Sequence, residues 1–224
     1  VVRNIATGNK VHGLFYEVSS TALIASNVVA DNAGDGIKLS SADHVRVYDT
    51  TFADNGTALG IYNDPRSPAT DPYCQQLGLS WITTNTTLVN NYYADPDAQD
   101  PIIVSADYKT TPHPGPFVST SDGNAYQRPT DSADTPLLSW VTSAGQTQNY
   151  PSLSAFQAAG FDKHGLAGNL ATIPFIDPDQ QNYLLNTGAL GIGAGLPIPA
   201  DVAAAIGVPA NAHPNIGVLA GPKS

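Results

Sequence analysis

Glu17, Asp35 and Asp64 are the carboxylates of this sequence with the most suggestive company: Phe15, Tyr62, Lys38, Arg66 and His12. Two carboxyl groups flanking a glycosidic bond hydrolyse it by inversion when they stand ~6.5–9.5 Å apart, one protonating the leaving oxygen and the other activating water. A lyase would use the same residues differently. Lys38 or His12 would take the proton beside a uronate carboxylate, and Arg66, or Ca²⁺ held by Asp35 and Glu17, would steady the carbanion. The plainer alternatives are a solvated face, Lys38 paired with Glu17 or Asp35 across strands, and His12 as a turn residue.

What brings these residues together is a repeat. Asn9, Asn32 and Asn55 recur every 23 residues, and Asn4, Asn27 and Thr50 keep the same step. Gly13 and Gly36 are also 23 apart, and Gly60 follows 24 later. A fixed period of this size means stacked supersecondary units rather than one globular core. Within a period, short aliphatic and β-branched strands alternate with Asn or Gly turns, as at Ala22–Ala25, Val28–Ala30 and Gly36–Leu39. Three strands in 23 residues describe one turn of a right-handed parallel β-helix, an all-β solenoid. A leucine-rich repeat has similar length, but its L-x-x-L-x-L frame is absent.

Stacking sets the geometry. Successive coils lie ~4.8 Å apart, and side chains alternate in and out along each strand. With the glycines aligned, Leu14, Tyr16, Ile37, Leu39 and Ile61 face inward. Phe15, Lys38 and Tyr62 then form one outward row, and Glu17, Ser40 and Asp64 another. His12 and Asp35 meet at the strand's start. Glu17 and Asp64 come roughly 9–10 Å apart between backbones. This makes Glu17 and Asp64, with Asp35, the candidate catalytic carboxylates. Phe15, Lys38, Tyr62, Arg66 and His12 are the candidate substrate contacts. The repeating asparagines read as ladder or turn residues, and Trp81, aligned with Val45 and Ala22, as core.

A fourth coil is expected where Asn85–Asn91 lies over Asp49–Asn55 at an offset of 36, the excess being a Pro-rich insertion loop over 65–78. Beyond Tyr92 the period fades. Strands are expected within 100–108 and 117–126, and a short helix within 150–164 capped by Ser152 or Ser154. A closing strand pair is expected over 173–185, and a helical turn in ADVAAAIG. The organisation read from this is one domain over 1–224, with coils to residue 126 and an irregular extension over 127–224.

Composition narrows the partners. The chain has 224 residues and a formal net charge of −10, which argues against nucleic acid and anionic membrane surfaces. No apolar run reaches the ~18 residues of a membrane span. Cys74 is alone, so there is no disulfide framework. The histidines lack metal-ligand spacing, so no cofactor is expected apart from Ca²⁺ in the lyase case. The sequence opens inside its first repeat. This leads to the expectation of a C-terminal portion or processed product, whose first coil is covered by an N-terminal fragment or another chain.

The blocks GLFYEVSS, NAGDGIKLSS and TTFADNG resemble the right-handed parallel β-helix repeats of the pectate-lyase-like superfamily. The end block SLSAFQAAGFD…IPFIDPDQQNYLLNTGALGIGAG resembles the C-terminal segment of many secreted bacterial β-helix proteins, with Thr187-Gly188-Ala189-Leu190 where Ser-Pro-Ala is common. The resemblance implies a secreted or cell-surface, carbohydrate-active protein with a polysaccharide or oligosaccharide partner. It does not choose the chemistry, since the superfamily holds lyases, hydrolases, epimerases and non-catalytic surface proteins. The acidic, Lys-poor surface ranks hydrolysis of a neutral or mildly charged polysaccharide first and lyase action second. A non-catalytic surface, adhesion or glycan-binding module is the rival from another class.

Overall fold

The computed structural model describes residues 1–67, 71–109, 113, 115–129, 134–143, 146–171, 173–210 and 213–219. Three stacked sheets make a parallel β-helix. The first holds β1 (Ile5–Thr7), β4 (Val28–Ala30), β7 (Thr51–Ala53), β10 (Tyr92–Ala94), β13 (Ala125–Arg128) and β16 (Leu166–Asn169). The second holds β2 (Leu14–Glu17), β5 (Asp35–Ser40), β8 (Thr57–Asn63), β11 (Ile103–Asp107), β14 (Leu138–Ser143) and β15 (Gln146–Tyr150). The third holds β3 (Ser20–Ala25), β6 (Asp43–Tyr48), β9 (Thr86–Val89) and β12 (Val118–Asp122). Every pairing in the three sheets is parallel except that of β14 with β15.

The corners explain why such short strands hold. Ser26, Asp49 and Asn90 adopt positive φ at the bend between the third and first sheets, and Gly123 takes the same place one coil on. Asn and Asp tolerate this left-handed conformation better than other non-glycine residues. Next to each bend a buried amide reaches the coil above. Asn27 accepts the Asn4 amide at 2.9 Å, Asn91 accepts the Thr50 amide at 3.1 Å, and Asn124 accepts the Asn91 amide at 2.9 Å. Asp162 ends this ladder by accepting from the Asn124 backbone at 3.1 Å. A second ladder joins Asn9, Asn32 and Asn55. Inside, the rings of Phe52, Tyr93 and Tyr126 stack with centroids 4.9 and 5.2 Å apart.

Two alignments read from the sequence are corrected. Gly60 is not the counterpart of Gly36, because the turn after Asn55 is one residue shorter than the turn after Asn32. Leu59 pairs with Ile37, and Gly60 pairs with Lys38. The shift preserves parity, so Leu39 and Ile61 still face inward and are fully buried. The fourth coil is offset by 41 residues, not 36: Thr51 pairs with Tyr92 and Arg46 with Thr87. The insertion is longer accordingly and carries a one-turn helix, α1 (Pro72–Gln76), capped by Asp71; residues 68–70 of that loop lie outside the described residues.

Stacking runs past residue 126, which falls inside β13, and β16 adds a sixth strand to the first sheet. The second sheet ends where β15 folds back on β14. There Trp140, Tyr150 and Phe161 pack around Phe156 of α2 (Leu153–Ala158), whose N-cap is Ser152 as expected. The antiparallel pair β17 (Phe175–Asp177) and β18 (Asn182–Leu185), then α3 (Ala200–Ile206), pack along the coils.

Candidate functional site

The predicted site residues gather on the outer face of β2, β5 and β8. Phe15 pairs with Lys38, and Lys38 with Gly60. Glu17 pairs with Ser40, and Ser40 with Tyr62. Tyr62 therefore sits one row lower than the sequence suggested. It reaches Lys38 all the same, because Gly60 has no side chain and the ring folds back across it. A Cβ on Gly60 would lie 2.4 Å from that ring. Lys38 Nζ is 5.1 Å from the Phe15 ring centre and 5.6 Å from that of Tyr62, a cation held between two aromatic faces.

Asp35 lies beneath. It is 9% exposed and accepts the Tyr62 hydroxyl at 3.1 Å. Burial pushes its carboxyl above the usual range, against the opposing pull of Tyr62, His12 and Lys38. Burial and the Asp35 charge push the Tyr62 phenol upward as well. His12 Nδ1 accepts the Asp35 backbone N–H at 3.2 Å and lies 3.4 Å from Asp35 Oδ2.

Glu17 and Asp64 are joined through Arg66. The guanidinium contacts the Glu17 carboxylate, and its Nε donates to Asp64 Oδ1 at 2.6 Å. Asp64 Oδ1 also accepts the Arg66 backbone N–H at 2.8 Å. The Arg66 hydrogen bond holds the Asp64 carboxyl below the ordinary carboxylate range. Arg66 also lies 5.3 Å from the ring centre of Trp81, which is half-buried rather than core. Lys38 makes no ion pair with a carboxylate among the described residues.

Two residues of this face escape a reading of the repeat. Tyr108 is 58% exposed and stacks on Tyr62 with centroids 5.9 Å apart. Lys109 Nζ donates to the carbonyls of Asp64 at 3.0 Å and Arg66 at 2.8 Å, fixing the loop that bears the arginine. Both follow β11, where the period is no longer visible. Their signal is the strand itself, since IVSAD lies over LGIYN and places Asp107 beside Asn63. Asp35, Lys38, Ser40, Tyr62, Asp64 and Tyr108 line a shallow cleft of about 260 Å³.

The family model described as "Periplasmic copper-binding protein (NosD)" matches residues 1–130. No curated protein and no solved structure matches the chain. No helix among the described residues is long and apolar enough to cross a membrane.

Proposed function

Because the chain belongs to the NosD family of periplasmic copper-binding proteins, we propose that it works outside the cytoplasmic membrane as a non-catalytic β-helix module, binding saccharide on the Phe15–Lys38–Tyr62–Tyr108 face. The observation that carries this reading is Arg66. An acid–base pair for hydrolysis needs one carboxyl group protonated and both facing substrate. Here both carboxylates are turned to one guanidinium: Arg66 contacts Glu17 and donates through Nε to Asp64, whose carboxyl it holds below the ordinary range. What stays open to a ligand is the exposed Phe15 and Tyr108 rings and Lys38 between aromatic faces. Rings with a few fixed polar groups suit the apolar face and hydroxyl edge of a sugar.

Copper does not fit the donor set. Copper(I) selects thiolate and thioether ligands, and imidazole suits either oxidation state. The chain has no methionine, one cysteine and five histidines. Cys74 is buried in the insertion. Among the described residues no three His, Cys, Asp or Glu side chains form a group that could hold a metal ion. The reading therefore uses no copper, and no Ca²⁺.

The test is calorimetric titration with defined oligosaccharides, with reducing ends and the ultraviolet absorbance of unsaturated products followed in the same samples. Binding without either product is expected, weakened about tenfold in Phe15→Ala or Tyr108→Ala. Reducing ends that vanish in Glu17→Gln or Asp64→Asn would instead establish a hydrolase. An unsaturated product would establish a lyase.

A further inference from the structure

We propose that a second face of the solenoid, the groove between the Asp31–Asp54 row and Phe175, docks an extended basic segment of a partner protein in which Lys or Arg alternates with apolar residues. The row comes from an Ala-Asp dipeptide that closes three successive strands of the first sheet: Ala30-Asp31, Ala53-Asp54 and Ala94-Asp95. The coils hold these aspartates in register, with the Asp31 amide donating to Ala53 O and the Asp54 amide to Ala94 O, each at 3.0 Å. Asp97 and Asp100 border the same surface, in an acid-lined cleft of about 470 Å³.

Arg128 acts only at the Asp95 end of this row. Among the described residues, Asp31, Asp54, Asp97 and Asp100 make no ion pair with Lys or Arg. Asp54 accordingly has its carboxyl pushed up, by burial first and then by Asp97 and Asp31. Asp31 is held in place by hydroxyl donors, Thr7 and Tyr183, each at 3.2 Å.

The opposite wall is apolar. Leu170, Ile173, Pro174, Phe175 and Tyr183, with Asp179 as the one further carboxylate, line a cleft of about 320 Å³ that shares Asp31 and Asp54 with the acid-lined one. Ile173 is 65% exposed there. An extended chain sends alternate side chains to opposite sides. One set would meet the carboxylates and the other the apolar wall, as in other grooves that read extended peptides. Phosphate-bearing ligands are repelled by the row, and a bare polycation leaves the apolar wall unused.

The test is fluorescence anisotropy of the full chain with labelled Arg-Leu-Arg-Leu-Arg-Leu, against labelled hexaarginine. The alternating peptide is expected to bind about tenfold tighter than hexaarginine and to be released at about 0.5 M salt. Asp54→Asn and Asp97→Asn should each weaken it several-fold. Ile173→Ser, at an exposed position that folding does not depend on, should weaken the alternating peptide and leave hexaarginine unchanged. Equal affinity for the two peptides, no binding of either, or indifference to Ile173→Ser would each overturn the proposal.

Discussion

Thr50 and Asn91 are far apart in the chain and adjacent in the fold: the Thr50 amide donates to Asn91 Oδ1 at 3.1 Å across the insertion. The same Asn91 side chain donates to Val47 O at 3.0 Å and to Asn124 Oδ1 at 3.1 Å. Replacing it leaves the buried Thr50 N–H without its acceptor and takes a donor from Val47 O and from Asn124 Oδ1, which keeps the Asn91 backbone amide. Asn91→Ala should therefore cost about 3 kcal/mol. The urea midpoint checks this, and a loss under about 1 kcal/mol would mean that water replaces the amide.

Asp49 predicts how stability varies with pH. It is fully buried, with the Asn90 side chain beside it but turned to Leu196, so neither carboxylate oxygen gains a well-formed hydrogen bond among the described residues. Burial pushes its carboxyl up from 3.8 to about 8. The folded state thus holds a proton that the unfolded chain releases. Stability is full below the unfolded value and falls as pH rises from about 4 to about 8. Asp49→Asn removes that dependence. Its advantage over the native chain should widen by at least about 2 kcal/mol between pH 4 and pH 9. Denaturation curves of the two proteins that shift in parallel with pH would refute it.

Arg66 leads to the opposite expectation. Its pairs are largely solvated, so Arg66→Gln should lower stability at neutral pH by under ~1 kcal/mol. The Asp64 carboxyl is depressed, so this contribution exists above the unfolded carboxylate value and disappears as pH falls through the folded one. The sharper readout is a carbon-detected titration of the Asp64 carboxyl group, which should move upward in Arg66→Gln. An unchanged titration would dissolve the link between the two residues.

Two glycines separate stability from site geometry. A Cβ on Gly36 would lie 2.7 Å from Ala58 O and 2.9 Å from the Asn55 side chain, inside the coil. Gly36→Ala should cost about 2 kcal/mol by overpacking. A Cβ on Gly60 would meet side-chain atoms only, the Tyr62 ring at 2.4 Å and Asp35 Oδ1 at 2.7 Å. Gly60→Ala should displace that ring, break its bond to Asp35 and weaken saccharide binding, with a smaller fall in melting temperature. Equal losses of stability would show that the Tyr62 ring cannot give way.

Much of this was legible in the residues. The Asn4–Asn27–Thr50 and Asn9–Asn32–Asn55 steps gave both ladders, and period-two alternation gave the buried face. Register was harder, because a two-residue shift leaves every side chain on its own side of the strand. That is how Gly60 could be set beside Gly36 without upsetting the apolar pattern. The fourth coil misled for another reason. Asn85-Thr86-Thr87 looks like Asp49-Thr50-Thr51, yet the equivalent block is Asn91-Tyr92-Tyr93-Ala94-Asp95. The reliable mark was the recurrent Val-Ala-Asp, Phe-Ala-Asp and Tyr-Ala-Asp, which records a packed residue, a small residue that closes the strand and the carboxylate that follows it. Arg66 was seen as a neighbour of the acids. That it would tie both of them together depended on how the loop turns back, which short-range pattern does not encode.

The reversal of β15 on β14 has a consequence for assembly. The first and third sheets present their last strands in the common parallel sense, while the second presents one running the other way. The opening coil of another copy could satisfy two of these directions only by violating the third. Its β15 edge is also Gln-Thr-Gln-Asn, polar and exposed. Head-to-tail growth of such solenoids into fibres is blocked at this end.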